Sequence, residues 1–393
     1  MEEHVKQFFM PRESLFGRGC SRKIGQYLSQ RNLCSALVVT DTHLVECGVV
    51  NRVTVPLEEY GISFELFDQV SPNPTLTNVR EGAEYYQKKG CDCIIAVGGG
   101  SPIDCGKAMG VWLGGKGELR DYIGLERCAK DSVPLIAVNT TAGTASEISR
   151  ACLIIDESQG RKIAIKDKHA IPLLAVNDSE LMVSLPPGLT ASTGMDALTH
   201  AVESYTSTEA YPVTRASALE AVRLILEHLE KACSSPDSYE HRDNLIYAEF
   251  LAGISFCNSG LGLVHAMSHQ LSATYGLAHG LCNAILLPYV MEFNRNICPG
   301  LYDNLWHRVS EKAPENCSEG MASDKMISHI RGMSERIGTA RKLRELGVAQ
   351  KEFSNMAQKA LIDGCYRTTP VKADREMICL LYTSDAADDS LRV

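Results

Sequence analysis

The chain has 393 residues, 45% hydrophobic and 22% charged, with a formal net charge of −9. That length suffices for two domains of ordinary size, and the acidic balance argues against nucleic acid or an anionic membrane as partner. No apolar run is long enough to span a bilayer, Met1–Phe8 is not a basic-then-apolar leader, and the 15 cysteines are scattered without framework spacing; a cytoplasmic enzyme with reduced core thiols is expected. Cys91 and Cys93, one residue apart, form neither a CxxC redox motif nor a zinc knuckle.

In chain order, the apolar run Ser35–Thr40 (SALVVT) reads as a parallel strand ending in Asp41. A carboxylate at such a strand end can accept hydrogen bonds from an adenosine ribose and repels a 2′-phosphate. Next, CDCIIAVGGGSPIDCGKAMG reads as a buried strand (Ile94–Val97), a turn of Gly98, Gly99 and Gly100, and a helix opening with Ser101, Pro102 and Asp104. Glycines let the backbone approach a ligand, and the helix N-terminus offers N–H groups to an anion, the outline of a pyrophosphate cradle. The run is not GxGxxG, because Ile103 stands where the third glycine belongs; by itself it is equally a plain strand–helix turn. The strand Val133–Asn139 then leads into TTAGTASE, where Thr140, Thr141 and Thr144 offer hydroxyls to phosphate or to a nicotinamide amide. The plainer alternative is a capped turn in which Thr144 or Ser146 serves the next helix. Three strand ends carrying ligand-type residues favour a dinucleotide crevice.

The organisation changes once. Up to about Leu185, short apolar runs (LVVT, CIIAVGGG, PLIAVN, LLAVND) alternate with helical stretches, as in a parallel α/β sheet. After Pro186-Pro187, helix-period patterns dominate: THAVESY, ASALEAVRLILEHLEKA, NLIYAEFLAGISF and GLVHAMSHQLS. Pro187 and a capping-like Thr193-x-x-Asp196 mark the changeover. The expected architecture is an α/β dinucleotide-binding domain over 1–185 and an all-α metal-binding domain over 186–378, with the active site in the cleft between.

The helical half carries the metal signal. Asp196 and His200 are four residues apart, as are His265 and His269, and His279 follows just after a turn. Side chains at i and i+4 share a helix face, so each pair can aim at a common point. A carboxylate-and-imidazole set without thiolate suits iron(II) or zinc, and three or four ligands from two helices leave a coordination position for substrate. A single such pair among 11 histidines means little. Two pairs, one opened by a carboxylate, form a metal-site pattern. Neither is HExxH, so the zinc-protease base is missing.

Taken together, GGGSPID, NTTAGTASE, GMDALTHAVESY and GLVHAMSH…AHG resemble the iron-containing (group III) alcohol dehydrogenases, close to lactaldehyde, propanediol and butanol dehydrogenases. The resemblance runs from about Phe8 to about Ile378. It implies a dehydroquinate synthase-like architecture and a homodimer or higher homo-oligomer. It also implies bound NAD with iron(II), or zinc in its place, and hydride transfer between nicotinamide and a short-chain alcohol, diol or aldehyde. On this resemblance Asp196, His200, His265 and His279 bind the metal, while His269 lies near nicotinamide and substrate and relays protons, which imidazole does well near neutral pH. Asp41, Asn73, Gly98, Gly99, Gly100, Ser101, Asp104, Thr140, Thr141, Thr144 and Lys162 fall on cofactor positions, and Ala151, Phe256, Leu261 and Cys365 on substrate-pocket positions. Ala151 is small where relatives often carry a larger side chain, which points to diols or short branched alcohols.

Two other readings use the same residues. One is a glycerol-dehydrogenase-like zinc polyol dehydrogenase. The other is a metallohydrolase, which needs a carboxylate base beside the metal; Glu203, three residues after His200, is the nearest on that helix face. The end of the chain departs from the family pattern. Thr369-Pro370-Val371 stands where relatives have Asn-Pro-Arg, and from Cys379 the tail CLLYTSDAADDSLRV reads like a translated adapter fused in frame. Residues 379–393 are therefore expected to be non-native and without helix periodicity, truncating the last helix.

Overall fold

The computed structural model describes residues 5–183, 185–310 and 318–386. The chain divides into two compact units, Met1–Ser184 and Leu185–Val393. The first contains β1 (Glu13–Phe16), α1 (Ile24–Ser29), β2 (Ser35–Val39), α2 (Thr42–Glu46), α3 (Val49–Glu58), β3 (Ser63–Phe67), α4 (Leu76–Lys89), β4 (Cys93–Gly98) and α5 (Gly100–Gly114). It continues with β5 (Gly124–Leu125), β6 (Leu135–Asn139), β7 (Ala151–Asp156), β8 (Arg161–Lys166) and β9 (Leu174–Asn177).

Six strands form one parallel sheet in the order β1-β9-β6-β4-β2-β3. Successive side chains point to opposite faces, and both faces are covered. Leu37, Ile94, Ala96 and Leu135 pack with Val79, Ile103 and Met109 of α4 and α5, while Val38, Ile95, Val97 and Ile136 pack with Ile24, Leu28, Val53 and Leu57 of α1 and α3. Two-sided burial is why these strands read as unbroken apolar runs. The C-terminal ends of β2, β4 and β6 are neighbours, pairing Val39 with Ala96 and Gly98 with Asn139. Asp41, the glycine turn and Thr140 thus share one sheet edge, the place where open parallel sheets bind ligands. The glycine missing at Ile103 is replaced one turn later. A Cβ at Gly106 would lie 2.8 Å from the Cβ of Ala96, so Gly106 gives the close helix–strand contact that the third glycine of GxGxxG otherwise provides.

A small second sheet, β5-β8-β7, was not foreseen from the apolar runs. Its β7–β8 pair is antiparallel and half-buried, and its alternating burial in ACLIID is the period-2 signal of a strand with one wet face. Lys107, fully buried on α5, ties this hairpin down: its Nζ donates to Ser149 Oγ (2.8 Å), the Ala151 carbonyl (3.0 Å) and Ser146 Oγ (3.2 Å).

The second unit contains α6 (Pro187–Thr206), α7 (Pro212–Ser234), α8 (Tyr239–Ser259), α9 (Leu263–Tyr275), α10 (His279–Ile297), α11 (Asp303–Val309), α12 (Met321–Arg336), α13 (Phe353–Leu361) and α14 (Arg375–Ala386), with no strand among the described residues. α6 packs on α7, α8 and α10; α9 packs on α10 and α13. Of the two signals expected at the changeover, one holds and one does not. α6 starts at Pro187, which suits the first helical position because it lacks an N–H that would be orphaned there. Thr193 lies inside this helix with its Oγ1 donating to the Leu189 carbonyl at 2.9 Å, so Thr193-x-x-Asp196 is no cap.

The tail also differs from expectation. Helix α14 runs through Cys379 to Ala386, and Ile378, Leu381 and Tyr382, spaced i, i+3, i+4, are buried. The Tyr382 hydroxyl donates to the Met267 carbonyl of α9 at 2.9 Å, and its ring stacks on Phe353. The helical period is therefore kept past Cys379; residues 387–393 lie outside the described residues. Among the described residues no single helix is long and apolar enough to cross a membrane.

Candidate active site

Asp196 and His200 project from α6, His265 from α9, and His279 is the first residue of α10. Three helices thus supply the cluster, where the spacing had suggested two. A single oxygen, Asp196 Oδ1, is the hub: His279 Nε2 lies 3.7 Å away, His265 Nε2 3.8 Å and His200 Nε2 3.9 Å. Asp196, His265 and His279 bring one ligand atom each within 4.8 Å of one another. His200 stands at the edge of this trio, its ring stacked between Phe256 (4.4 Å) and His265 (4.6 Å). Gly280 makes the convergence feasible. A Cβ there would meet the Ser192 carbonyl at 2.3 Å, so only glycine lets the first turn of α10 press onto α6.

Glu203, one turn beyond His200, holds the imidazole of His265. Its Oε2 accepts from His265 Nδ1 at 2.7 Å and from the Gly262 N–H at 2.9 Å, while Oε1 accepts from the Val264 N–H at 2.6 Å. Helix α9 has no side-chain cap of its own, since its N-cap is Gly262; a carboxylate at that positive end satisfies its free N–H groups. Burial pushes the Glu203 carboxyl up to about 7, opposed by those backbone hydrogen bonds. Burial also holds His265 well below its ordinary value. His265 is therefore neutral, with its proton on Nδ1 and its Nε2 lone pair facing Asp196, the form a metal ligand requires. With both Glu203 oxygens so engaged, the hydrolase reading loses its general base. We expect Glu203→Gln to weaken metal affinity about 10–100-fold without touching any ligand; unchanged retention against a chelator would refute the positioning role.

Asn283, one turn after His279, turns its Nδ2 into the cluster, 2.6 Å from Asp196 Oδ1, 3.1 Å from His279 Nε2 and 3.2 Å from His265 Nε2. His269 stays outside the trio. Its ring stacks on His279 with centroids 5.3 Å apart, and its Nδ1 lies 2.9 Å from Asp363 Oδ2. The pocket positions in this unit divide: Phe256 stacks on His200, Cys365 follows Asp363 in a short turn, and Leu261 lies in the α8–α9 loop, where its carbonyl accepts from Thr368 Oγ1.

In the first unit, Asp41 caps α2 by accepting from the Leu44 N–H at 3.0 Å, and Asn73 is exposed in the loop before α4. Gly98 ends β4 and Gly99 precedes α5. A Cβ on Gly99 would lie 3.1 Å from Thr141 and one on Gly100 3.3 Å from Thr144, so the glycine turn and the threonine loop face each other. Ser101 Oγ donates to the Pro72 carbonyl at 2.5 Å, and the Thr140 N–H to the Gly98 carbonyl at 3.0 Å. Asp104 turns inward instead, accepting from Ser146 Oγ and from the Leu153 N–H; burial raises its carboxyl above the usual range. Lys162 is half-buried on β8, close enough to act on Asp104 electrostatically. Ala151 begins β7, its carbonyl held by Lys107.

Sequence comparison assigns this arrangement. The family described as iron-containing alcohol dehydrogenase matches residues 11–179, and its C-terminal domain, described as Fe-containing alcohol dehydrogenase family, C-terminal, matches residues 190–386. The chain belongs to the iron-containing alcohol dehydrogenase family. It is similar to alcohol dehydrogenase 4 of Schizosaccharomyces pombe, 40% identical over 97% of this chain and 89% of that one. It is also similar to 1,3-propanediol dehydrogenase of Klebsiella pneumoniae, 39% identical over 97% of this chain and 99% of that one. Among solved structures, a 1,3-propanediol oxidoreductase superposes with a TM-score of 0.95 at 38% identity, covering 97% of this chain and all of that one.

The residues present fit the groups this family of oxidoreductases carries. Around Asp196 Oδ1 the atoms are carboxylate and imidazole acceptors, and one amide with two N–H groups faces three of them. An acceptor-rich, thiolate-free cluster of this kind is completed by a borderline cation such as iron(II). Asn283 Oδ1, buried without a hydrogen-bond partner among the described residues, is a further polar atom left over there. At the glycine turn, the buried Thr141 hydroxyl likewise has no partner among the described residues, which suits a ligand lying over Gly99. Sequence reasoning singled out His265 and His279 but missed Asn283, although its i+4 spacing from His279 is the same signal. It weighed Glu203 only as a base, and it missed Asp363, which is 94 residues from His269 and has no periodic signal.

Proposed function

We propose that the chain interconverts a short-chain alcohol or diol and its aldehyde with NAD(H), using iron(II) held by Asp196, His200, His265 and His279. The convergence of three imidazole Nε2 atoms on Asp196 Oδ1 carries this reading. Residues 1–185 would bind the dinucleotide and residues 186–378 the metal. When bound, the metal supplies Lewis-acid polarisation of the substrate oxygen, and the nicotinamide accepts or returns the hydride. The protein's own groups do the rest. Glu203 fixes the His265 tautomer, and the helix N-terminus behind Gly99, Gly100 and Ser101 holds the pyrophosphate. Thr140, Thr141 and Thr144 support the phosphates or the carboxamide, with Asn73, Asp104 and Lys162 shaping that cradle. His269, aimed by Asp363, takes the hydroxyl proton released on oxidation and returns it on reduction.

The relatives named for 1,3-propanediol and lactaldehyde support a small hydroxylated substrate, and the small Ala151 supports room for a branch or a second hydroxyl. In the helical unit, Phe256, Leu261 and Cys365 would contact the substrate. We also place the enzyme in the cytoplasm as a homodimer or larger homo-oligomer, and light scattering on the purified protein checks the oligomeric state. NADH oxidation followed with acetaldehyde, lactaldehyde and butyraldehyde tests the reaction. Loss of absorbance with at least one carbonyl is expected; no loss with any of them by the iron-loaded protein overturns the reading.

Asp41 should set the preference for NAD(H). A carboxylate a few ångströms from a 2′-phosphate in a partly desolvated crevice costs on the order of 1–4 kcal/mol, roughly tenfold to several hundredfold in binding. The Asp41→Gly variant isolates that charge, because glycine at an N-cap costs only a few tenths of a kcal/mol. Its NADH/NADPH ratio of kcat/KM should narrow by at least about tenfold. Equal efficiency with both cofactors in the unmutated enzyme would exclude this role.

A further inference from the structure

We propose that His269, Asp363 and Cys365 form a second cation site beside the Asp196 cluster, selective for zinc or cadmium, and that filling it inhibits the enzyme. The inhibition, though not the site, rests on the proposed proton-relay role of His269.

The three side chains bring one ligand atom each, nitrogen, oxygen and sulfur, within 4.8 Å of one another. Two of those atoms are closer still, since His269 Nδ1 is 2.9 Å from Asp363 Oδ2. Tetrahedral zinc with bonds of about 2.0–2.3 Å needs ligand atoms roughly 3.3–3.8 Å apart, so side-chain rotation alone closes the set. The backbone is fixed in advance. Asp363 Oδ1 accepts from the Cys365 N–H at 2.8 Å, capping the turn Gly364–Thr368 and locking aspartate and cysteine two residues apart. That leaves Oδ2 facing α9. The site is reachable, because the His269 and Asp363 side chains are 21% and 16% exposed.

Charge and softness favour the assignment. A carboxylate and a thiolate together neutralise a divalent cation, so the filled site carries no net charge next to Asp196. Sulfur selects zinc and cadmium over iron(II), whereas the Asp196 cluster contains only oxygen and nitrogen donors. On binding, the Cys365 S–H bond is lost, its proton passes to buffer, and a sulfur–metal bond forms. His269 offers one ring nitrogen as the third ligand. At least one proton, that of the thiol, leaves per cation, and the imidazole nitrogen that carries substrate protons in the proposed relay is engaged.

The test is a cadmium titration of the iron-loaded, full-length enzyme, following the ultraviolet thiolate-to-cadmium absorbance, proton release, iron content and rate of NADH oxidation. The expected result is one cadmium equivalent with thiolate absorbance and at least one released proton, with iron retained and the rate lost in step. In Cys365→Ser that increment of absorbance should disappear. In Asp363→Asn, which keeps an acceptor for the turn, cadmium should bind about tenfold or more weakly. Inhibition is read against each variant's own basal rate. Identical titrations of Cys365→Ser and the unmutated enzyme overturn the site, since the exposed Cys34, Cys47 or Cys298 would then be the ligand. Cadmium bound through Cys365 with no loss of rate supports the site and overturns the relay role of His269.

Discussion

Replacing His265 with alanine should leave the enzyme without metal and with activity reduced by more than about 100-fold, the upper effect of disturbing a group that merely supports a ligand. His265 is the proposed ligand whose orientation is most tightly determined: its Nδ1–H donates to Glu203 Oε2 at 2.7 Å, and its Nε2 faces Asp196 from a side chain 1% exposed. Alanine removes the donor atom and also leaves the buried Glu203 carboxylate one partner short. A lost hydrogen bond to a charged group costs about 1.5–3 kcal/mol, so the apo variant should melt below the apo unmutated protein. His279→Ala makes the contrast. It should empty the metal equally but cost less stability, because His279 is 29% exposed and the Glu203 carboxylate keeps its hydrogen bond to His265. NADH binding, measured by fluorescence, should survive in both, since the proposed cradle lies in the other unit. Full metal occupancy in either variant would falsify the ligand set.

What was legible in the sequence follows from the range of the interactions involved. Periodicity is local, so unbroken apolar runs such as CIIAV identified strands buried on both faces, and the i,i+4 pairs placed Asp196 with His200 and fixed the side of α9 that carries His265. The third helix of the cluster was less visible because His279 begins a new helix, and its approach depends on Gly280 meeting the Ser192 carbonyl. That is a packing fact with no period. Thr193 misled for a related reason. Its hydroxyl bonds back to the Leu189 carbonyl inside a helix already begun at Pro187, and a Thr-x-x-Asp pattern looks the same in both settings. At Cys379 composition suggested a break, yet Ile378, Leu381 and Tyr382 keep the helical spacing and find Met267 and Phe353 to pack on. The partners that orient the site, Glu203 across 62 residues and Asp363 across 94, are set by tertiary folding alone.

Replacing His269 with alanine should have the opposite signature to His265→Ala: metal retained, rate lost. His269 sits one turn beyond His265 on α9, but its Nδ1 points to Asp363 Oδ2 rather than to the Asp196 cluster. Its ring stacks on His279 with centroids 5.3 Å apart, yet it is not one of the three residues whose ligand atoms converge around Asp196. Removing a general acid–base group costs about 10²–10⁴-fold, so kcat should fall in that range with iron content unchanged. The loss should be concentrated in the pH-dependent part of the profile, because in the proposed role His269 is the group that carries the substrate proton. Small imidazole added to the assay should restore part of the rate in this variant and none in His265→Ala, where the missing atom is a ligand. Metal measured on the same sample decides between the two roles. An empty site would move His269 into the ligand set and displace one of the four, most readily His200, which stands at the edge of the trio. Full metal with an unchanged pH profile would instead make His269 a packing residue held by Asp363 and His279.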